Sequence, residues 1–517
     1  MKKQIIMNLF STYVGRAVGM VLGFFLVPFL IGKLGIDTFG VIVLVESLSR
    51  FIELVSSSIR MALARHATFA LAQDKMEEFT DYLSTGRVIL FAAAAIVFVL
   101  GVGFSFLVPH IFKIPAEHIE DSRNLFLLFI TAFTITFPNM VFWSSLYAKQ
   151  RYDLLNVAST SALILRAVLV LIVFSILPER FVNLTTYGII FLAVVWADNF
   201  MVYCWSRRIF PNVRIQLKRF SADKVKQIFL FGAFTSIIYS SGVLYENLIQ
   251  ILINVLWGPR FNAIYGIADK FPSALKRLFA EPAWTLTPTF TDLVARGEKD
   301  KLKSLYFMYS KAILISSLPF VLFFMVMADA VIMVWVGPDF AMAATMMSIS
   351  TIPLLISMPN AVSSCIYNAY GKVRVPSLVS VCSVVSMLIL GVTLSRGFSM
   401  GLVGISVAET SVLLVTSGLY SAYYACRISG LSLREFRRHV YLPPFLWGCL
   451  TTGTALFAYR SIFGGFLKLD AISVLILVLW TLAYFIGMYR LTLNPVEKGY
   501  LQGMLRSVAN KLGLTRA

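Results

Sequence analysis

Fourteen long apolar stretches, parted by short polar gaps, restrict the chain to one kind of surroundings for most of its length. A bilayer core about 30 Å thick is crossed by about 20 helical residues rising about 1.5 Å each. Stretches that meet this ruler occupy 5–31, 39–58, 88–112, 125–148, 157–177, 185–205, 228–257, 262–293, 306–335, 341–370, 375–395, 400–426, 440–463 and 471–490. In lipid the backbone must satisfy its own hydrogen bonds, and stretches of this length do so as helices. With 58% hydrophobic and 14% charged residues, the chain also lacks the roughly one quarter of charged residues that covers a soluble globule. The expected fold class is an all-α polytopic membrane protein, which excludes soluble enzymes, fibrous proteins and disordered scaffolds.

Orientation follows from the basic residues. Lys2 and Lys3 place the N-terminus in the cytoplasm, and an even number of spans returns the C-terminus there. Of 45 Lys and Arg, the loops then assigned to the outside hold only Lys33, Lys113, Arg123, Arg180, Arg260, Arg396 and Lys468. Lys and Arg gather in cytoplasmic loops, so this asymmetry supports a multi-pass protein of the cytoplasmic (inner) membrane with both termini inside. It also accounts for the net charge of +19 without nucleic acid as a partner. The richest basic segment runs from Arg207 to Lys226 and is expected to rest on the anionic leaflet. The tail from Pro495 to Leu514 reads as an interfacial amphipathic helix, with Leu501, Met504, Leu505, Val508 and Leu512 toward one side.

Five Cys (Cys204, Cys365, Cys382, Cys426, Cys449) lie in or beside apolar stretches without CxxC spacing. They are expected to be reduced core residues rather than disulfides or metal ligands. No phosphate-binding GxxxxGK[ST] loop occurs, and no catalytic cluster, metal site or cofactor is read.

A repeat runs through the chain. Phe137-Pro138-Asn139 is followed by Tyr147-Ala148-Lys149-Gln150-Arg151, and Met358-Pro359-Asn360 by Tyr370-Gly371-Lys372-Val373-Arg374. Leu34 and Phe39 have counterparts in Leu256 and Phe261. The offset is 221 to 223 throughout, from the difference of the paired numbers. Two six-helix lobes are therefore expected, 1–205 and 228–426, joined by a basic cytoplasmic linker, 206–227. Because six is even, they share an orientation, and such lobes enclose a central cavity that is exposed to each side in turn. Residues 427–490 supply a cytoplasmic loop and two additional transmembrane helices, and 491–517 a cytoplasmic amphipathic tail.

Pro28-x5-Leu34-Gly35-x3-Phe39-Gly40 resembles the N-terminal signature of the polysaccharide (Wzx-like) flippases of the multidrug/oligosaccharidyl-lipid/polysaccharide (MOP) exporter superfamily. The Tyr-x-Lys-x-Arg after the fourth span and Tyr265-Gly266-Ile267-Ala268-Asp269-Lys270 are similar to the family as well. The resemblance covers 1–426 and implies a flippase, not an enzyme. Its substrate would be an undecaprenyl-diphosphate-linked oligosaccharide, an O-antigen or exopolysaccharide repeat unit, moved from the cytoplasmic to the outer leaflet by alternating access. The bilayer and polysaccharide polymerase or export proteins are its implied partners. Fourteen spans rather than twelve look more like the lipid II flippases, whose extra pair forms a groove for the lipid tail. The alternatives are thus a flippase for lipid II, the peptidoglycan precursor, and a cation-coupled multidrug or metabolite antiporter on the same superfold. A membrane polymerase or glycosyltransferase is disfavoured by the short external loops.

Charges within spans point to the substrate path, since each costs about 2.5–3.5 kcal/mol or more at a helix centre unless it faces water or a partner. Arg16, Arg50, Arg166, Lys270 and Arg277 are the substrate-binding candidates, because guanidinium and ammonium groups suit a lipid diphosphate. Glu46 and Glu53 flank Arg50 at helical spacing, and Glu281 follows Arg277 by four, so internal ion pairs compete with ligand binding. Arg16 and Arg166 have no acid within one turn. Asp198, Glu246 and Glu409, at mid-span depth, are the ion-coupling candidates. Energy would come from protons, sodium or the membrane potential. Gly15, Gly19 and Gly23 form a small-residue ridge suited to close helix packing. Pro272, Pro282 and Pro288 are expected to bend or break the eighth span.

Overall fold

The computed structural model describes residues 2–463, 471–495, 497–499 and 502, with side chains left aside chiefly in 2–10 and 230–246. The described backbone is helical with short turns. The helices are α1 (Lys2–Leu34), α2 (Ile36–Ala72), α3 (Met76–Ile111), α4 (Ile119–Ala148), α5 (Tyr152–Ile176), α6 (Leu184–Ile209), α7 (Ala222–Trp257), α8 (Pro259–Leu275), α9 (Thr287–Ala295), α10 (Lys299–Val326), α11 (Ala328–Trp335), α12 (Ala341–Thr351), α13 (Leu354–Ser357), α14 (Ala361–Ala369), α15 (Arg374–Val392), α16 (Gly401–Leu413), α17 (Ser421–Ser429), α18 (Leu433–Phe436), α19 (Leu442–Phe463) and α20 (Ala471–Gly487). All fourteen expected spans fall on helical segments. Among the described residues, 9 helical stretches are long and apolar enough on their own to cross a membrane. Phe457, Val99, Leu100 and Leu446 stand out on the helix exteriors, as lipid-facing side chains do.

Helix ends explain the repeat in backbone terms. Asp74 and Gly297 adopt φ of 57° and 70°, and the amides of Lys75 and Glu298 close the turn on the carbonyls of Ala70 and Leu293. Gln150 and Gly371 do the same at φ of 58° and 64°, with Arg151 N–H on Leu146 O and Lys372 N–H on Tyr367 O. These are left-handed helix stops with back-reaching amide bonds. They recur at offsets of 221 and 223, the spacing of the sequence motifs. Gly35 and Gly258, at φ of 81° and 98°, link α1 to α2 and α7 to α8 with the same bonding. Each N–H reaches four residues back, and each carbonyl receives the amide four residues on. A side chain at such φ is strained, which accounts for glycine at both corners.

The compact units of the structure part at a different place from the repeat. One comprises Met1–Ile267 and the other Ala268–Ala517, so the division falls within α8. The reason is packing: α7 lies along α2, whereas the sequence boundary at 228 follows the motifs.

In the first unit α4 packs on α3, α6 and α2, and α1 packs on α5. Its core gathers Leu63, Phe79, Phe137, Leu146 and Phe210. The small-residue ridge serves the α1–α5 contact. A Cβ on Gly15 would stand 2.6 Å from Thr160 Oγ1, and one on Gly19 3.6 Å from Leu163 Cδ1. Asn156 of α5 adds bonds to Ser11 (2.9 Å) and Thr12 (2.8 Å). The basic linker is partly strapped to protein instead of resting wholly on lipid. Asp81 on α3 receives Arg219 at 3.2 Å and Lys224 at 3.1 Å, and Tyr82 O–H donates to Gln227 at 2.5 Å. Arg208, Arg214, Lys218 and Lys226 remain exposed.

The second unit has a core of Phe290, Tyr306, Val362, Cys365 and Phe436. Here Cys365 and Cys426 are buried, as expected of small core residues, while Cys382 and Cys449 are exposed. The latter pair corrects the expectation that all five line a core. A thiol is apolar enough to sit on a helix's outer face as well.

The C-terminal pair α19–α20 is fastened to α10. Tyr484 donates to Ile315 O at 2.8 Å, and Trp447 Nε1 to Tyr484 O at 3.1 Å. Beyond α20, Lys311 of α10 donates to Thr492 O and pairs with Glu497 at 2.9 Å, both side chains under a tenth exposed. Asn494 and Glu497 cap each other's amides at 2.8 Å. This fixes the start of the expected tail helix, of which 503–517 lie outside the described residues.

Candidate functional site

Charges in the first unit form a stripe along α2. Glu46, Arg50 and Glu53 lie on one face of α2, and Arg60 extends that face seven residues further. Arg50 Nη1 meets Glu53 Oε2 at 3.2 Å with both side chains about half exposed. Such a pair holds its geometry weakly and can yield to a stronger anion. Glu46 is engaged across helices instead. Arg166 of α5 approaches its Oε1 at 3.6 Å, and the Tyr187 hydroxyl of α6 donates to the same oxygen at 3.4 Å.

Arg166 thus has a partner that its own helix does not supply. The sequence offers none within a helical turn, but α2 brings one from 120 residues away, the difference between 166 and 46. Arg60 is a cation that sequence reasoning passed over. It lies beyond the expected second span, on the continuation of α2 to Ala72. Its guanidinium lies over the Trp143 ring, 4.4 Å from the centroid, and its Nε has no hydrogen-bond partner among the described residues. The seven-residue interval from Glu53 was the available signal.

The charges are strung along α2, with Arg166 at the Glu46 end, Arg50 beside Glu53, and Arg60 about 21 Å from Glu46 at about 1.5 Å per residue. Arg16 is half-buried on α1, next to the glycine that meets α5.

Lys270 and Arg277 belong to the second unit, and both are exposed on it. The break expected from the prolines lies beside them. After α8 the chain makes a π turn over Lys276–Ala280 and then a tight 3₁₀ turn over Glu281–Leu286. Asp269 is occupied by the Ser273 hydroxyl at 2.6 Å.

Of the ion-coupling candidates, Asp198 on α6 borders a cleft of about 370 Å³ shared with Ser161, Ala162, Leu165 and Met201. Its Oδ1 is enclosed and has no hydrogen-bond partner among the described residues. Glu409 on α16 is buried, and the side chain of Glu246 lies outside the described residues. Among the described residues no three His, Cys, Asp or Glu gather to hold a metal ion.

The membrane protein EpsK of Bacillus subtilis (strain 168), itself uncharacterized, is 20% identical over 424 residues, spanning 81% of this chain and 82% of that protein. An inward-facing multidrug resistance MATE family transporter of the MOP superfamily superposes with a TM-score of 0.68 at 13% identity, over 82% of this chain and 98% of its own. The lipid II flippase MurJ in an inward closed conformation gives 0.65 at 15% identity, over 93% and 97%. No family model matches the chain. Helix order, the motifs around Gly35 and Gly40, and these likenesses agree: the chain is a polytopic all-α membrane protein with the fold of the MOP transporters and flippases.

Proposed function

We propose that the chain is a flippase of the cytoplasmic membrane that moves an undecaprenyl-diphosphate-linked oligosaccharide from the inner to the outer leaflet by alternating access. One observation carries the choice of a lipid-linked substrate over a drug. The likeness to the lipid II flippase extends over 93% of the chain, whereas the MATE transporter covers 82%. The difference is about the length of the C-terminal pair α19–α20, which is fastened to α10. The arginine stripe supports the same reading, since a cationic drug needs acids where this unit holds a surplus of cations. Arg16, Arg50 and Arg166, with Lys270 and Arg277 of the second unit, are the groups proposed to meet the diphosphate. Asp198, Glu246 and Glu409 are proposed to couple the cycle to protons or sodium. Lipid II is the second reading, favoured by the same extended likeness.

Proteoliposomes carrying a fluorescent lipid-linked oligosaccharide, lipid II or a fluorescent cationic drug separate the readings. Flipping of the oligosaccharide lipid is expected, and drug uptake with neither lipid moved overturns the proposal. Arg166→Ala and Arg16→Ala are each expected to slow flipping at least about tenfold, since one charge-assisted contact contributes about 1.5–3 kcal/mol. Arg166→Lys should retain part of the rate, having charge without the fork. The Arg166 side chain is only 27% exposed and pairs across helices, so rates are compared at matched protein abundance. Parent-rate flipping by both alanine variants would remove these residues from the site.

A further inference from the structure

One seam recurs in both units and is filled differently in each. In the first, the Ser144 hydroxyl of α4 reaches the Arg60 carbonyl of α2 at 3.5 Å. In the second, the Cys365 thiol of α14 reaches the Ala283 carbonyl at 3.2 Å. Arg60 and Ala283 are 223 apart, and Ser144 and Cys365 are 221 apart. The helix stops that follow them keep the same offsets, Asp74 with Gly297 and Gln150 with Gly371. The two contacts are thus equivalent, and they make Ala283 the counterpart of Arg60 and Ser364 the counterpart of Trp143. Ala283 is buried, so in the second unit this seam closes with small side chains. The shared fold therefore does not require a guanidinium and an indole here.

What the first unit places there is a cation on an aromatic row. The Arg60 guanidinium lies 4.4 Å from the Trp143 ring centroid. Trp143 and Tyr147, one turn apart on α4, have centroids 5.0 Å apart and planes 30° apart. Tyr152 of α5 meets Tyr147 edge-on at 4.8 Å. Arg60 and all three rings are half-buried, so part of the row is open. Glu53, the nearest acid on the Arg60 side of α2, is engaged by Arg50 at 3.2 Å. A guanidinium lying on a ring keeps its N–H donors in its own plane, directed past the ring. Its Nε has no hydrogen-bond partner among the described residues. The arrangement sets flat apolar surface beside charge-assisted donors. A sugar suits both, since its C–H face stacks on an aromatic ring and its hydroxyls accept hydrogen bonds.

We infer that Arg60, Trp143 and Tyr147 form a subsite for a sugar of the lipid-linked glycan, on the cytoplasmic side of the arginines proposed to meet the diphosphate. The inference rests on the proposed topology and substrate. Arg60 lies on the continuation of α2 past the expected second span, about 15 Å beyond Arg50 at about 1.5 Å per residue. A diphosphate held at Arg50 leaves that distance for its glycan to span. The row thereby adds recognition of the sugar to recognition of the charge, and it does so in one unit alone.

Full-length protein in detergent is titrated with undecaprenyl diphosphate, bare or carrying a short chain of glucose or of N-acetylglucosamine, and binding is read by native mass spectrometry. The parent should bind a glycan-bearing lipid about tenfold more tightly than the bare one, the size of one stacking or cation–π contact. Arg60→Ala with Trp143→Ser, which copies the seam of the second unit, should bring the ratio of the two affinities close to one. Trp143→Phe, which keeps a ring, should retain part of it. The ratio is unaffected by a loss of folded protein, since both lipids meet the same sample, and the parent's own ratio needs no variant. UDP-N-acetylglucosamine carries a sugar on a diphosphate without the lipid and should bind at least about tenfold more weakly than the glycan-bearing lipid. Equal binding of bare and glycan-bearing lipids by the parent, or an unchanged ratio in the double variant, would overturn the subsite and leave the diphosphate reading standing. UDP-N-acetylglucosamine bound as tightly as the lipid would assign the row to a nucleotide sugar and overturn the lipid-linked one. Binding of none of the lipids refutes the proposed substrate, and the subsite with it.

Discussion

Glu497→Ala is expected to destabilise the protein by about 3–5 kcal/mol, because it leaves the ammonium of Lys311 buried without its counter-ion. Both side chains are under a tenth exposed, and Lys311 sits thirteen residues into α10, a membrane-spanning helix. Its remaining partner, Thr492 O, is a neutral carbonyl and cannot balance a charge. The pair fixes the end of α20 against α10, so the loss should appear as early release of the C-terminal segment. Thermal unfolding in detergent, with limited proteolysis after residue 490, measures it. The double variant Lys311→Met with Glu497→Leu is the informative control. Apolar replacements of similar volume remove two desolvation penalties together with the attraction, and such exchanges are often neutral or better. The double variant should lie within about 1 kcal/mol of the parent. If it is as damaged as the single variant, the pair's worth lies in its hydrogen bonds to Thr492 and Asn494 rather than in charge balance.

Neither partner of that pair was legible in the sequence, and the reason is general to this chain. Hydropathy located the spans, because lipid imposes a length and a composition on each helix separately. It did not reveal that α2 continues to Ala72, since Arg60, Arg65 and His66 look like residues of a cytoplasmic loop. Pairings between helices were equally hidden. Glu46 with Arg166, Asp81 with Arg219 and Lys224, and Lys311 with Glu497 each join positions more than a hundred residues apart. Spacing rules reach only one turn along a helix, so they exposed Arg50 with Glu53 but none of these long-range pairs. Prolines foretold that the eighth span would break, but a π turn followed by a 3₁₀ turn depends on where the freed carbonyls find donors. The candidate cations were therefore visible as a list, while their partners came from packing.

The two Pro-Asn motifs show how far an internal repeat can mislead, and they predict unequal outcomes. Asn360→Ala should cost about 2–4 kcal/mol, whereas Asn139→Ala should cost less than about 1 kcal/mol. Asn139 is half-buried and spends its amide on Ile135 O of its own helix, at 3.0 Å. Asn360 is buried and reaches across to another helix. Its Nδ2 donates to Ser417 O at 3.0 Å and to Gly418 O at 2.5 Å, and its Oδ1 accepts from the Tyr441 hydroxyl at 2.8 Å. The receiving carbonyls lie in the π-helical turn Leu414–Tyr420, where the widened helix leaves acceptors without their usual intrahelical donors. Removing Asn360 strands two buried carbonyls at about 1–3 kcal/mol each, partly offset because the Tyr441 hydroxyl keeps Ile356 O as a partner at 2.8 Å. Asn360→Asp, isosteric but without the Nδ2 donor, should be at least as harmful as alanine, since it sets a carboxylate against two carbonyl oxygens. Unfolding midpoints of the four proteins, the parent and three variants, decide the matter. Equal losses at 139 and 360 would mean that the motif acts through its proline, whose missing N–H is common to both sites.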